Sequence, residues 1–411
     1  MSEIYKSDHE LSDDEIVRYS RQLITADFHV EGQEKLKKTA VLIVGCGGLG
    51  NPTSLYLAGA GIGKLGLLDS DSVDLSNIHR QIGYTMADIG KRKVETLKKA
   101  VLERNPKIKV EIHDVRLTKE NILEIISKYD IVADCSDNLP TRYLLNEACF
   151  LKNIPLAMGS AVGWTGQFTF FHTSPECACY RCLYPKPDIA SLNMSCNEKG
   201  IMGPVVGIIG STQAMEIIKF VGLGNSSYSS CMLAYDAYNS RYMHIKLRSK
   251  VSGCPTCGGS LKELNDYNYL CNSLVGKTPF SDKILPEDRI TAKKLDEILK
   301  SDQEAILIDV RPENEFRIAH HPKAKNVPIN CFIRTKEGIQ TLWHYCKEAD
   351  QSMKEKTGVK CFFICRRGND SQRVLLHCKA ALHGSKQLDV ADVIGGYEAW
   401  KAEVDPNFPE Y

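Results

Sequence analysis

Between Ala40 and Gly50 the chain reads AVLIVGCGGLG, an apolar stretch that breaks into glycine at Gly45, Gly47 and Gly50. A G-x-G-x-x-G spacing at the end of such a run admits few folds. A buried strand must end in a turn too tight for side chains, and a helix must begin where backbone N–H groups can meet an anion. A second apolar run, LGLLD, ends at Asp69 about twenty residues on, where a carboxylate can accept ribose hydroxyls. The pattern predicts strand, turn, helix, strand.

Further strands are expected at 109–114 (KVEIHD), 130–137 (DIVADCSD) and 166–172 (GQFTFFH), with helices over 92–103, 120–128 and 140–152. Ahead of them, Leu11, Ile16, Tyr19 and Leu23 recur at helical spacing behind Ser12, a suitable N-cap. Strands alternating with helices imply a mainly parallel sheet covered on both faces. After Cys257 comes a polar stretch of little periodicity, followed by strand-like AILIDV (305–310) and KCFFIC (360–365). The expected organisation is a first α/β domain over 1–258, a linker over 259–285 and a smaller α/β domain over 286–411.

At 411 residues the chain is long enough for two cores. Its 52 basic and 51 acidic residues nearly cancel, which leaves no global field for holding nucleic acid or an anionic membrane. No direct nucleic-acid contact is expected. The N-terminal residues do not resemble a signal peptide, and no apolar run approaches the roughly 18 residues of a membrane span, so a cytosolic protein is expected. Sixteen cysteines in such a chain point to metal ligation, thiol chemistry and buried thiols more than to disulfides.

The glycine turn alone fits an NAD-type dinucleotide as well as other phosphates. The segment SNIHRQ, with Asn77, Arg80 and Gln81, and then Lys93, moves the reading toward a triphosphate, because two cations and an amide can neutralise departing pyrophosphate. Asp137 and Asn138 follow the strand DIVADCSD; an aspartate there can hold Mg²⁺ on the phosphates or cap the next helix.

Four cysteines stand in two C-x-x-C pairs, Cys179 with Cys182 and Cys254 with Cys257. Together they can close a tetrahedral Zn²⁺ site with no open position, hence a structural one; two separate redox pairs or unligated thiols are the alternatives. Cys196 lies in a polar loop, MSCNEKG, and reads as a nucleophile or as an inert thiol. Cys365 ends an apolar strand and opens the loop CRRGND before a helical segment. Such a loop can turn its N–H groups toward the sulfur, with a helix N-terminus and arginines favouring a thiolate or persulfide. A cysteine phosphatase needs arginine six positions after the cysteine; Ser371 stands there.

Taken together, VLIVGCGGLG, LLDSDSVDLSNIHRQ, ADCSDN, CYRC, GPVVGIIGSTQAMEIIK and CPTC resemble the ubiquitin-activating-enzyme-like family that includes the bacterial molybdopterin synthase adenylyltransferase. LIDVRPENEF, CRRGNDSQ and VIGGYEAWKAEVDPNFPEY are similar to a rhodanese domain. The resemblance implies a Rossmann-like adenylation domain with a structural zinc, followed by a rhodanese domain. It implies ATP binding by Gly48, Asp69, Ser76, Asn77, Ile78, His79, Arg80, Lys93, Asp137 and Asn138, with Asp137 acting through Mg²⁺. Arg21 matches an arginine that reaches a partner subunit's site, implying a homodimer. Cys196 would be the adenylation-domain cysteine and Cys365 the persulfide cysteine. The implied reaction adenylates the C-terminal glycine of a ubiquitin-like sulfur carrier ending in Gly-Gly, then converts it to a thiocarboxylate. A cysteine desulfurase or another sulfurtransferase would supply the sulfur, for tRNA wobble-uridine thiolation, molybdopterin synthesis or both. Activation for protein conjugation through a Cys196 thioester is the alternative. Gly163 and Thr165 stand where the family often carries charged residues near the carrier tail.

Overall fold

The computed structural model describes residues 9–186, 200–267, 284–301, 305–335, 337–350, 359–381 and 388–411. They form two compact units, Met1–Cys271 and Asn272–Tyr411.

The first unit opens with α1 (Asp13–Leu23), where Ser12 and Glu15 form a reciprocal capping box, and α2 (His29–Lys38). There follow β1 (Ala40–Val44), α3 (Gly50–Ala60), β2 (Lys64–Leu68), α4 (Lys93–Arg104), β3 (Lys109–His113), α5 (Ile122–Ile126), β4 (Ile131–Asp134) and α6 (Leu139–Lys152). Then come β5 (Leu156–Val162), β6 (Thr165–Phe171), α7 (Tyr180–Leu183), α8 (Gly203–Leu223), β7 (Cys231–Asp236) and β8 (Arg241–Lys246). The eight strands lie in the order β3-β2-β1-β4-β5-β6-β7-β8. Strands β1 to β5 pair in parallel, and β6, β7 and β8 continue the sheet antiparallel.

Register fixes the functional edge. Val44 lies opposite both Leu68 and Asp134, so β1, β2 and β4 end level and deliver Gly45, Asp69 and Cys135 to one edge. Alternation does the rest: Val41 and Ile43 pack toward α3, α4 and α8, while Leu42 and Val44 pack toward α5 and α6. Strands β5, β7 and β8 lie outside the sequence expectation. The first, LAMGSAV, carries glycine and serine, and the six residues of β8 are all exposed, so neither presents a clear apolar period.

Helix α8 also departs from expectation. Its 21 residues are long and apolar enough to span a membrane. Ser211, Gln213 and Glu216 interrupt the apolar run in sequence, yet one helix collects its apolar side chains. Val205, Val206, Ile209, Ala214 and Ile217 are buried against the sheet and α3.

Part of the expected linker belongs to the first core. Leu264 and Tyr267 are buried, and Glu147, fully enclosed on α6, accepts hydrogen bonds from Asn265 N (2.9 Å), Asn265 Nδ2 (2.8 Å) and Tyr267 Oη (2.5 Å). Arg181 completes that cluster at 3.1 Å from Glu147.

The second unit contains β9 (Arg289–Ile290), α9 (Ala292–Ser301), β10 (Ile306–Asp309), α10 (Glu313–Phe316), β11 (Ala324–Asn326), α11 (Ile329–Ile333), α12 (Glu337–Asp350), β12 (Val359–Ile364), α13 (Asn369–Ala381), β13 (Leu388–Val393) and α14 (Gly396–Glu403). Its five strands are parallel in the order β11-β10-β12-β13-β9. Asp309 lies opposite Ile364, which brings Arg311 and Cys365 to the same sheet edge.

Candidate functional site

At the first edge the glycines are sterically required. Gly45 has φ +94°, and a Cβ on Gly50 would fall 2.0 Å from the Gly45 oxygen. Asn51 and Tyr84 lock this turn from inside: Asn51 Nδ2 donates to Cys46 O at 2.8 Å and Tyr84 Oη to the same oxygen at 2.6 Å. Neither residue stands out in sequence, because each lies inside or beside an apolar segment. Gly48 faces Val206, where a Cβ would sit 3.0 Å from Cγ2, leaving its backbone side open to close approach.

Asp69 accepts hydrogen bonds from Cys46 N and Asp71 N, each 2.8 Å. Burial raises its pKa, and the nearby Lys93 charge opposes that rise. Lys93 is only 7% exposed and pairs with Asp71 at 2.9 Å, so a cation is stored at this edge with little solvent around it. In the neighbouring turn Asp74 Oδ1 accepts from Ser76 N (2.8 Å) and Asn77 Oδ1 accepts from Asp74 N (3.3 Å). Ile78 packs against the core, and Arg80 donates to Ser76 O at 2.7 Å. Arg80 Nη1 also lies 2.8 Å from His79 Nε2; burial, then the Arg80 charge, lowers the His79 pKa. Gln81 sits beside Gly47, and its buried Oε1 has no hydrogen-bond partner among the described residues, a state that an incoming polar ligand can relieve.

Asn138, with its Oδ1 accepting from Thr141 N at 3.0 Å, caps α6 and leaves the preceding Asp137 exposed at the strand end. Arg21 is exposed on the last turn of α1. Cys196 lies outside the described residues. The chain re-enters at Gly200, where its oxygen accepts from Gly163 N (2.9 Å), and Met202 N donates back to Gly163 O (3.1 Å). Gly163 occupies the β5–β6 turn with φ +56°, and Thr165 begins β6. Close by in sequence, α6, β5, β6 and α7 border a cavity of about 310 Å³ whose polar lining includes Arg142, Ser160, Gln167, Tyr180 and Lys186.

The four paired cysteines converge. Their sulfurs all lie within 4.8 Å of one another and all four residues are buried. Cys179 to Cys182 spans 3.9 Å, Cys179 to Cys254 3.6 Å, and Cys182 to Cys257 3.3 Å. A tetrahedron with Zn–S bonds of about 2.3 Å has S···S edges of about 3.8 Å, so the cluster fits a four-thiolate zinc. Val251 N donates to Cys182 Sγ (3.4 Å), and Asn146 Nδ2 lies 3.9 Å from Cys179 Sγ. Cys177 turns aside to Ser174 Oγ, 3.1 Å away.

In the second unit Cys365 is 4% exposed, and its sulfur accepts the N–H of Gly368 at 3.1 Å. Ser371 Oγ stands 3.6 Å away. Tyr397 N donates to Cys365 O (2.9 Å) and Glu398 N to Arg366 O (3.0 Å), so the start of α14 supports the start of the loop. Burial, then the Asp370 charge, raises the thiol pKa, while Ser371 lowers it. The expected electrostatic help from arginine is diverted, since Arg367 pairs with Glu398 (2.8 Å) and Arg373 with Asp370 (3.1 Å).

Residues 19–256 match the ThiF family and 291–403 match the rhodanese-like domain. The chain is 41% identical over 407 residues to the adenylyltransferase and sulfurtransferase MOCS3 of Culex quinquefasciatus, covering 98% of this chain and 90% of that one. It is 39% identical to the protein of the same name from Sus scrofa over 406 residues, covering 98% and 89%. Among solved structures it resembles Escherichia coli MccB with AMPCPP and MccA, with a TM-score of 0.52 and 27% identity, over 59% of this chain and 74% of that one. On this evidence the chain belongs to the ThiF family of enzymes, in the adenylyltransferase and sulfurtransferase MOCS3 group that adds a rhodanese-like domain.

Proposed function

We infer that the chain activates the C-terminal glycine of a ubiquitin-like sulfur carrier and then replaces one carboxylate oxygen with sulfur. The observation that carries this reading is the presence, in one chain, of a phosphate-ready edge with a sheltered Lys93 and a loop whose N–H faces the Cys365 sulfur. Residues 1–258 would perform the first step and 286–411 the second, and joining them raises the effective concentration of each for the other.

A carboxylate is a poor electrophile. Its attack on the α-phosphorus of ATP forms an acyl-adenylate and releases pyrophosphate. Gly48 and the start of α3 would offer backbone N–H groups to the phosphates, Asp69 would accept the ribose hydroxyls, and Ser76, Asn77, Ile78, His79, Arg80 and Lys93 would line the triphosphate. Asp137 would bind through Mg²⁺ brought with ATP, with Asn138 beside it in the nucleotide site. Arg21, exposed on α1, would complete the site of a second copy in a homodimer. MccB's crystallisation with AMPCPP and MccA supports a nucleotide and a peptide as ligands of this unit. The cavity beside α6 is a suitable path for the carrier tail.

Cys365 persulfide, loaded by a cysteine desulfurase or another sulfurtransferase, would attack the acyl carbon and expel AMP, leaving an acyl disulfide. A thiolate, Cys196 in this reading, then attacks the Cys365 sulfur; the carrier leaves as thiocarboxylate and a Cys196–Cys365 disulfide remains for an external dithiol to reduce. The zinc at Cys179, Cys182, Cys254 and Cys257 has no open position and would be structural. The products would serve wobble-uridine thiolation, molybdopterin synthesis or both, in the cytosol.

Intact mass measurement of a Gly-Gly carrier, incubated with the protein, ATP, Mg²⁺ and a persulfide donor, tests the reading. Replacement of oxygen by sulfur is expected. Adenylation without thiolation would instead favour activation for conjugation through Cys196.

A further inference from the structure

The segment after α14 is built into the loop that carries Cys365. Phe408 stacks on Tyr397 with ring centroids 4.6 Å apart and planes 3° from parallel. The same Tyr397 donates its N–H to Cys365 O. The guanidinium of Arg311 also lies over the Tyr397 ring, 4.1 Å from its centroid. Arg311 is itself immobilised: it is 2% exposed, its Nε bonds Asp309 Oδ1 at 3.0 Å, and its Nη2 bonds Ala319 O at 2.7 Å. Arg311 Nη1 donates to the hydroxyl of Tyr411, and that hydroxyl donates to Glu315 Oε2 at 3.3 Å.

With its hydroxyl fixed in this way, Tyr411 presents its ring to Arg366, whose guanidinium carbon lies 4.9 Å from the ring centroid. Arg366 is the residue after Cys365 and is one-fifth exposed. Its competing partner, Glu398, is 3.7 Å away and binds Arg367 more closely, at 2.8 Å. The aromatic face and the longer pairing to Glu398 therefore orient Arg366 together. Arg366, next in the chain to Cys365, is thereby held by the Tyr411 ring together with its longer pairing to Glu398.

We propose that Tyr411 is a positioning residue for sulfur transfer, holding Arg366 beside Cys365 to receive the anionic sulfane donor. This rests on the reading of Cys365 as the sulfur-carrying residue. With thiosulfate as probe, the Cys365 thiolate attacks the outer sulfur, the S–S bond breaks and sulfite leaves with its electron pair. Cyanide then removes the outer persulfide sulfur as thiocyanate and restores the thiolate.

The test is steady-state thiosulfate–cyanide transfer by the full chain, with carrier-dependent ATP–pyrophosphate exchange measured in parallel. Tyr411→Ala is expected to raise the KM for thiosulfate about tenfold with kcat within about twofold, while Tyr411→Phe, which keeps the ring, stays within about threefold of the parent. In an Arg366→Ala background the Tyr411→Ala change should cost nothing further, because the partner it positions is gone. Exchange should be unaltered throughout. An unaltered KM in Tyr411→Ala overturns the proposal, as does an equal loss in the Arg366→Ala background or a joint fall in kcat, exchange and thermal midpoint. Retained thiocyanate formation by Cys365→Ala would overturn the underlying reading of Cys365, and the proposal with it.

Discussion

The N–H of Gly368 points at the sulfur of Cys365 across 3.1 Å, yet burial, then the Asp370 charge, leave the thiol's pKa raised although hydrogen bonds from Ser371 lower it. The hydrogen bonds that favour the thiolate do not offset burial and the Asp370 charge. The free thiol is thus held protonated at neutral pH, and loading needs its thiolate. The rate of persulfide formation on Cys365 is expected to climb with pH and to show no plateau below the ordinary thiol value of 9.0. Asp370→Asn removes a charge that raises the pKa and should move the profile to lower pH. Stopped mass measurement of the persulfide across pH 6 to 10 reads both; a plateau at neutral pH in the parent would contradict the electrostatic account.

Lys93 stands at the opposite extreme, a cation sheltered from water and paired with Asp71 before any phosphate arrives. Lys93→Ala should lower carrier-dependent ATP–pyrophosphate exchange by about 10²- to 10³-fold, the usual loss for a preorganised electrostatic partner. Sulfur loading on Cys365 should stay within about twofold of the parent. Comparable losses in both assays would mean that Lys93 supports folding and not phosphate chemistry.

Two glycines of α3 separate the turn's requirement from helix propensity. A Cβ on Gly50 meets the Gly45 oxygen at 2.0 Å, whereas one on Gly59 meets nothing within 4 Å. Gly50→Ala is expected to cost about 1–3 kcal/mol and to abolish exchange. Gly59→Ala should stabilise by about 0.5–1 kcal/mol with exchange intact. Urea unfolding followed by circular dichroism distinguishes them, and equal behaviour of the two variants would remove the steric argument.

Cys254→Ser deletes one corner of the thiolate cluster. Zinc released on denaturation, read with a metal-binding dye, should drop from about one per chain to a small fraction of that. The thermal midpoint should fall with it. Cys177→Ser, whose sulfur turns away to Ser174, should keep the full zinc complement.

Much of this architecture could be read from the sequence because its signals are local. The glycine spacing, the run to Asp69 and the Ser12 cap each act within a few residues, and each appears in the structure. The antiparallel continuation could not be read so well: β8 is exposed along its length and takes its place through pairing with β7. At the site, the sequence pointed to the groups that are proposed to meet ligand. It did not reveal those that hold the site together, such as Asn51, Tyr84 and Gln213. Gln213, enclosed on α8, donates to both Asp134 O (3.0 Å) and Ala157 O (2.8 Å), a role visible only once β4 and β5 are neighbours. The Cys365 electrostatics were misjudged from sequence for a similar reason, since the arginines' acidic partner Glu398 lies on another helix.

The cysteine cluster has a consequence for how the first unit can come apart. Cys179 and Cys254 are 75 residues apart, and α8, β7 and β8 all lie between them. An ion shared by the two pairs ties that stretch into a ring. By the chain-entropy model, closing a ring of this size withdraws about 4 kcal/mol of freedom from the unfolded chain. A disulfide would do the same only where thiols stay oxidised. A thiolate-bound metal does it under reducing conditions, so the cell's metal supply, not its redox poise, would govern how readily this half of the enzyme unravels.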